Sequence, residues 1–183
     1  MSAAPRMQPA EIQHARLLLF DPALAPLIAS WVMTGDEAYR LAPNSVPPIT
    51  PAVVRAWGAQ PGRHARLLVD ANGTPVGYGE LNLLNSERRE YWLGHLVIDP
   101  ARRRCGFGLT LTRGLLERAF LRLGATRVAL VVFTDNPAAI QCYRACGMVE
   151  EQFELQFFGS YDRHEKLLRM AITRQQWAQF GRR

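Results

Sequence analysis

The sequence predicts one α/β (α+β) domain, in which helices cover both faces of a mixed sheet of six to seven strands. Two observations predict this class. Apolar runs of strand length, several of them rich in β-branched residues, alternate with segments whose apolar residues recur at helical spacing. In addition, 183 residues suit one domain with one core, and 48% hydrophobic against 21% charged residues is the balance of a globular protein.

The first third of the chain predicts one strand followed by two helices. Residues 17–20 are an apolar run of strand length. Asp21-Pro22 then signals a helix start, because Asp is a favoured N-cap and Pro a favoured first helical residue. Four prolines within residues 41–51 predict a loop, and Thr50-Pro51 repeats the cap signal and opens a short second helix.

The remaining elements are predicted from the same periodicities. Ala71-Asn72-Gly73 predicts a hairpin turn between two strands, and Gly124 and Gly147 suit the ends of two helices. The predicted strands are residues 66–70, 76–84, 91–98, 127–133, 149–158 and 166–173, and the predicted helices are residues 109–123 and 136–147.

The predicted organisation is a flexible N-terminal tail over residues 1–10 and a single domain over residues 11–183. No apolar run approaches the roughly 20 residues that a membrane helix needs. The start of the chain also lacks the charged and apolar regions of a signal peptide. We therefore expect a cytoplasmic protein that has no membrane partner.

Charge and cysteine content narrow the expected partners. A net charge of +6 and a pI of about 9.8 are compatible with nucleic-acid binding, but the basic residues are almost all scattered arginines, so nucleic acid is not the expected partner. The cluster Arg102-Arg103-Arg104 is the exception, and it suits an anionic cofactor. Cys105, Cys142 and Cys146 have no partner at zinc spacing, so no metal site is expected.

The segment from Arg103 to Gly108 predicts a diphosphate-binding turn. Its glycines stand where a strand ends and a helix begins, and glycine allows the backbone to approach a ligand closely. The exposed N–H groups of the first helical turn and the helix dipole favour an anion there. The P-loop and dinucleotide patterns fit less well, since Gly108 is followed by Leu109-Thr110 and no third glycine comes at position 111. On its own, a plain loop that caps a helix explains the same residues.

A second segment, residues 127–148, combines with the first into a family pattern. The segment around Arg103, Gly106 and Gly108 resembles the cofactor motif Arg/Gln-x-x-Gly-x-Gly/Ala of the GNAT superfamily of N-acetyltransferases. The later segment resembles the next motif of that family, with Asn136, Ala139, Tyr143 and Gly147 in register and Met148 where Phe is usual. The resemblance extends over residues 67–173. The register of the motifs is similar to that of ribosomal-protein N-terminal acetyltransferases, whereas the start of the chain is more similar to broader amine-acetylating members.

The resemblance implies the GNAT fold, with a mixed, mostly antiparallel sheet, and acetyl-CoA as acyl donor, with no metal. It implies that backbone groups of one strand hold the pantetheine arm, that the glycine turn wraps the pyrophosphate, that Asn136 hydrogen-bonds the pantetheine side, and that Tyr143 lies beside the sulfur. The strand residues are Leu96, Val97 and Ile98; the turn residues are Arg103, Arg104, Cys105, Gly106, Phe107, Gly108 and Leu109.

The expected reaction is direct transfer of the acetyl group from acetyl-CoA to a primary amine in a ternary complex, without an acyl-enzyme. A backbone N–H near Val97 would polarise the carbonyl, and Tyr143 would protonate the departing thiolate. Glu80 is the first candidate for the general base, because strand alternation places it on one face with Tyr78 and Asn82. His95 is the second candidate. The position five before Asn136, Glu in some relatives, is Val131 here.

The acceptor stays open between a peptide or protein N-terminus and a small-molecule amine. The first helices and the loop at residues 41–51 would determine it, and these are the least patterned parts of the chain. The alternative function is a non-catalytic or regulatory acyl-CoA-binding module of the same fold. A homodimer is compatible with the resemblance.

Overall fold

A computed structural model describes residues 14–181, so the tail predicted at residues 1–10 lies outside the described residues. Seven strands form one sheet in the order β1-β2-β3-β4-β5-β7-β6. The strands are β1 (Arg16–Leu19), β2 (Arg63–Val69), β3 (Pro75–Asn85), β4 (Glu90–Ile98), β5 (Arg127–Phe133), β6 (Val149–Phe158) and β7 (Arg163–Thr173). The predicted mixed sheet of six to seven strands is therefore confirmed.

Every neighbouring pair of strands is antiparallel except β4 and β5, which run parallel. That parallel pairing is short. It joins Glu90–Trp92 to Arg127–Ala129 and stops there, although both strands continue. The rest of β5 is held from its other side by β7, along the whole of Arg127–Phe133. The sheet therefore remains continuous while its two central strands separate towards their carboxyl ends.

Six α-helices accompany the sheet: α1 (Ala25–Ser30), α2 (Gly35–Leu41), α3 (Pro51–Gly58), α4 (Phe107–Glu117), α5 (Pro137–Arg144) and α6 (Arg174–Phe180). Short 3₁₀ turns at Pro22–Leu24 and Pro100–Arg102 and a π turn at Arg118–Arg122 complete the helical segments. No helix among residues 14–181 is long and apolar enough to span a membrane.

The predicted helix caps are confirmed. The side chains of Asp21, Thr50 and Asn136 accept hydrogen bonds from backbone N–H groups two or three residues on, at 2.9, 3.3 and 3.2 Å. Gly124 and Gly147 adopt φ of +69° and +85°, the left-handed conformation in which glycine ends helices.

Two helices, α2 and α6, were not predicted. α2 opens with Gly35 and has only seven residues, so its helical periodicity is too short to stand out. It is held by burial of Ala38 and Tyr39. α6 begins in a capping box between Thr173 and Gln176, which the sequence does contain.

The core lies on both faces of the sheet, so the predicted placement of helices is confirmed. Adjacent residues of β2 point to opposite sides: Leu68 belongs to the cluster that packs on α4, and Leu67 to the cluster that packs on α1 and α3. Leu115 and Ile28 are fully buried in these two clusters. The sheet is therefore held rigid from both sides around the place where β4 and β5 separate.

Candidate active site

A cleft of about 710 Å³ opens between the separated ends of β4 and β5. One wall is the β4 backbone with Leu96, Val97 and Ile98, and the opposite wall is the carboxyl half of β5. Because β5 does not pair with this part of β4, the N–H and C=O groups that face the cleft have no strand partner on that side. An amide-bearing chain fits there as an additional strand would.

The predicted turn lies at one end of this cleft. Arg104 and Gly106 adopt φ of +61° and +90°, and α4 begins immediately afterwards at Phe107. Gly106 is the N-cap and supplies no side-chain cap, whereas side chains cap α2, α3, α5 and α6. The first N–H groups of α4 therefore remain available to a ligand. Gly108 lines the cleft.

Three turn residues point their side chains away from the cleft. Phe107 is 1% exposed within the core, and Leu109 and Cys105 pack against the same core cluster. The Cys105 thiol donates a hydrogen bond to the carbonyl of Arg103 at 3.3 Å. These residues can contribute backbone groups to the cleft but not their side chains.

The two arginines of the turn have different surroundings. The Arg103 guanidinium donates to the carboxylate of Glu37 and, at 3.0 Å, to the carbonyl of Trp31, while its Nε donates to the carbonyl of Ile98 at 3.2 Å. It thereby joins the end of β4 to α1 and α2. Arg104 lines the cleft and has no ion pair with any carboxylate among residues 14–181. Arg104 is the one of the two that is free to meet an anion.

α5 presents Asn136 and Tyr143 to the cleft from the β5 side. The Asn136 side-chain oxygen is used in capping α5, which leaves its amide N–H₂ for a ligand. Burial, together with the neighbouring Cys142 and Cys146, raises the pKa of Tyr143 above its usual range. Tyr143 is therefore a protonated phenol at neutral pH. Cys142 also lines the cleft.

Glu80 and His95 form a pair beneath the cleft surface. Glu80 is fully buried and does not line the cleft, whereas His95 does. The His95 Nδ1 lies 3.2 Å from Glu80 Oε1, and the Tyr78 hydroxyl donates to the same oxygen at 2.6 Å. Burial opposes ionisation of Glu80, but the hydrogen bonds of His95, Tyr78 and Asn82 outweigh it and lower its pKa. The predicted cluster of Tyr78, Glu80 and Asn82 is present, with the carboxylate turned inward.

The backbone holds His95 in an unusual conformation. On β3, Tyr78 pairs with Val97 and Glu80 pairs with Gly94, so a single residue, Gly79, lies opposite two residues of β4. This bulge places His95 at φ +46°, a value that few non-glycine residues adopt. Its ring stacks on Trp57, with centroids 4.1 Å apart and planes 6° apart. The imidazole is therefore fixed on both sides, by the indole and by Glu80.

Several cleft residues received no role from the sequence. They come from the end of α1, from α2, and from β4 and β6, and comprise Trp31, Glu37, Arg40, Trp92 and Gln156. They belong to three separate parts of the sequence and follow no motif spacing, so only the fold brings them together. Val131, the position without a glutamate, also lines the cleft.

The cleft, the turn and the order of the strands can be compared with known families. The profile of the acetyltransferase (GNAT) family matches residues 31–148 of this chain. The chain belongs to that family. The predicted membership of the GNAT superfamily is therefore confirmed.

Among curated proteins, this family member is 30% identical over 108 residues to the spermidine N(1)-acetyltransferase of Vibrio cholerae serotype O1. The match takes in 59% of this chain and spans 62% of the length of that relative.

Solved structures confirm the predicted GNAT fold. The spermidine N-acetyltransferase of V. cholerae in complex with CoA and spermine superposes with a TM-score of 0.78 at 20% identity, covering 91% of this chain and 99% of that one. A chimera of the V. cholerae enzyme with hSSAT gives a TM-score of 0.75 at 21% identity, covering 90% and 98%.

Proposed function

We propose that this protein transfers the acetyl group of acetyl-CoA to a primary amine by direct attack in a ternary complex. The observation that carries the proposal is the cleft between β4 and β5, which has an unpaired strand edge along one wall and an uncapped glycine turn at one end. The first feature suits the amides of pantetheine and the second suits a diphosphate. Coenzyme A is a single molecule that contains both groups.

The residues of the cleft divide the binding of the acyl donor among themselves. The N–H groups at the start of α4 and the free guanidinium of Arg104 hold the pyrophosphate. The β4 backbone at Leu96, Val97 and Ile98 holds the pantetheine arm, and the Asn136 amide donates to it. An N–H of β4 near Val97 stabilises the negative charge that develops on the thioester oxygen during attack.

Tyr143 is the general acid of the proposed reaction. It lines the cleft on the side opposite β4, and it carries its proton at neutral pH, as a phenol does even before burial raises its pKa further. It donates that proton to the sulfur as the carbon–sulfur bond breaks. No cysteine acylation is needed: Cys105 points away from the cleft, and Cys142 is not part of the proposed chemistry.

We assign the general base to His95, supported by Glu80. The sequence favoured Glu80, but a fully buried carboxylate that does not line the cleft has no direct access to an amine. His95 lines the cleft, and its Nδ1 faces Glu80 at 3.2 Å. The carboxylate fixes the tautomer that leaves Nε2 as the acceptor, and it stabilises the imidazolium that forms when the amine loses its proton.

The charges of the cleft favour an acceptor that has no more than one positive charge. Among the described lining residues, Glu37 is the single carboxylate, and it is paired with Arg103. Arg104 lines the same cleft without an ion pair in the described chain, whereas Arg40, which also lines it, is paired with Asp36 and Asp135. A polycation would meet Arg104 without a free lining carboxylate to balance its second and third ammonium groups. A peptide N-terminus or a small monoamine meets no such penalty.

A polyamine is the second candidate, and the comparisons favour it, since the curated relative and the solved structures are spermidine acetyltransferases. A thiol-release assay with acetyl-CoA separates the candidates when it compares spermidine, N-terminal peptides and small monoamines at equal concentration. We expect higher kcat/KM for monoamines or peptides than for spermidine. A preference for spermidine would reverse the acceptor assignment, and binding of coenzyme A without turnover of any amine would favour a regulatory module.

A further inference from the structure

A second cleft, of about 480 Å³, lies on the opposite side of α4 from the active site. The strands β1 and β2 form its floor, and one stripe of α4 forms its wall with Thr110, Arg113, Gly114 and Glu117, which follow one another at helical spacing. The π turn after α4 closes one end. No described residue lines both this cleft and the active-site cleft. We call it the arginine cleft, because Arg16, Arg66, Arg113, Arg118 and Arg122 line it.

Within residues 14–181, the charge of the arginine cleft is not compensated by ion pairs. Against five arginines its lining contains one carboxylate, Glu117, and within residues 14–181 none of the five arginines makes an ion pair. Elsewhere in the described chain, by contrast, seven arginines lie within 4.0 Å of a carboxylate: Arg40, Arg63, Arg102, Arg103, Arg127, Arg144 and Arg169. Other arginines of the described chain are also unpaired, but only here do five of them line one cleft with a single carboxylate.

One of these arginines, Arg66, is buried, and a second, Arg118, is half-buried. Arg66 is only 5% exposed, and within the described chain its guanidinium makes one hydrogen bond, to the carbonyl of Ala65 at 2.7 Å. Arg118 has a buried Nε with no hydrogen-bond partner in the described chain. Burial and the charge of Arg118, which lines the same cleft, lower the pKa of Arg66. Burying an unpaired cation is costly unless an anion completes the site.

The local backbone supports this arrangement. Gly114 allows β1 to approach α4, since a Cβ at that position would lie 2.8 Å from Leu17 Cδ1. The π turn at Arg118–Arg122 is a rare widening of the helix that often occurs at functional sites, and both of its terminal arginines line the cleft.

We propose that the arginine cleft is a binding site for a small, multiply charged anion of the phosphate class, separate from the acetyl-CoA site. Guanidinium groups bind phosphate oxygens in bidentate fashion, and several of them together select a dianion over chloride. Because Arg66 lies at the bottom of the cleft, only a compact group such as a phosphate monoester reaches it. The volume leaves room for a small organic remainder.

The test is thermal unfolding of the full chain with inorganic phosphate against sodium chloride at equal ionic strength, both with coenzyme A at saturation. Phosphate is expected to raise Tm by about 3 °C over chloride, since a ligand that binds only the folded state stabilises it. Arg118→Gln and Arg66→Met should each weaken phosphate binding at least tenfold in calorimetry. Arg66→Met is also expected to unfold at a higher temperature than the wild type when no phosphate is present.

Arg55→Gln is the matched control, because Arg55 is exposed on α3 and lines neither cleft. It should keep the whole phosphate response. The proposal is overturned if the wild type shows no shift over chloride, or if both cleft variants keep the shift. It is also overturned if the two variants weaken coenzyme A binding as much as phosphate binding, since the site would then belong to the acyl donor.

Discussion

At the scale of single residues, the active site depends on the contrast between two acids, the half-buried Tyr143 and the fully buried Glu80. The pKa of Tyr143 is raised by its surroundings, whereas the pKa of Glu80 is lowered by His95, Tyr78 and Asn82 despite complete burial. Their different environments thus suit Tyr143 to donate a proton and Glu80 to support His95 as the proton acceptor. The residue types were visible in the sequence, but the burial that gives each its role was not.

Replacing Tyr143 with Phe tests the general acid. The variant keeps the ring and loses the proton, so kcat should fall roughly 100-fold while the affinity for coenzyme A stays unchanged. Thiol-release kinetics and calorimetry measure the two quantities. Tyr91→Phe is the control, because Tyr91 is a buried core residue that does not line the cleft. Equal loss in both variants would remove the special role of Tyr143.

Replacing His95 and Glu80 separately with Gln tests the assignment of the base. His95→Gln should lower kcat/KM about 100-fold near neutral pH, with a smaller deficit at high pH, where the amine arrives already deprotonated. Glu80→Gln removes only the support of the imidazole, so its loss should be about tenfold. A larger loss in Glu80→Gln than in His95→Gln would return the role of base to Glu80, and an unchanged profile in both would exclude the pair.

At the scale of elements, α5 depends on its two ends. Asn136 caps the start, and Gly147 ends the helix at φ +85°, with Met148 N–H bonding back to the carbonyl of Tyr143 at 3.1 Å. A Cβ at Gly147 would also lie 2.8 Å from the ring of Phe180 on α6. The helix that presents Tyr143 is therefore fixed by a glycine that tolerates no side chain.

Gly147→Ala should consequently reduce the free energy of unfolding by about 1–2 kcal/mol, through its positive φ, with a further loss from the contact with Phe180. Urea denaturation measures it. Gly35→Ala is the matched control, because Gly35 also lies at the terminus of a helix, as the first residue of α2. No atom lies within 4 Å of a Cβ added there, and its φ is not in the left-handed region. That control should be neutral or slightly stabilising, and equal effects at the two positions would contradict the account.

The elements also show what sequence patterns can and cannot predict. Residues 127–133 and 149–158 were predicted as strands and are strands with the same bounds, because buried β-branched runs and alternation are local signals. β2 and β7 begin three residues earlier than predicted, at Arg63 and Arg163, because pairing with a neighbour extends a strand beyond its apolar part. The helix α2 depends on the packing of Tyr39 against other parts of the chain, and that packing cannot be seen in the sequence of the helix itself.

At the scale of the whole molecule, pairs of arginine and carboxylate join segments that are distant along the chain. Arg40 pairs with Asp135, and Arg169 pairs with Glu154. In both cases the arginine holds the pKa of the carboxyl below its usual range. The sequence suggested that the arginines were scattered, and it could not show that many of them have partners.

These pairs predict the direction of the pH dependence of stability. A carboxyl whose pKa is lower in the folded state binds fewer protons there than in the unfolded state, so its stabilisation is complete above about pH 4.5 and is lost as pH falls further. Urea midpoints should therefore decline below about pH 4.5, in addition to a separate loss below about pH 6.5 that comes from His64, whose pKa burial lowers. Glu154→Gln should reduce the decline, whereas Glu87→Gln, at an exposed and unpaired position in the described chain, should not.

The guanidinium of Arg103 connects the parts of the cleft that we assign to the two substrates. It joins the end of β4, along which the acyl donor is proposed to lie, to the carbonyl of Trp31 and the carboxylate of Glu37, in the first helices, which we expect to determine the amine. A substitution that shifts the first helices will therefore also shift Arg103, and with it the end of β4. An engineer who wishes to broaden the range of amines accepted by the protein will find donor affinity moving in step, unless Arg103 and Glu37 are left in place.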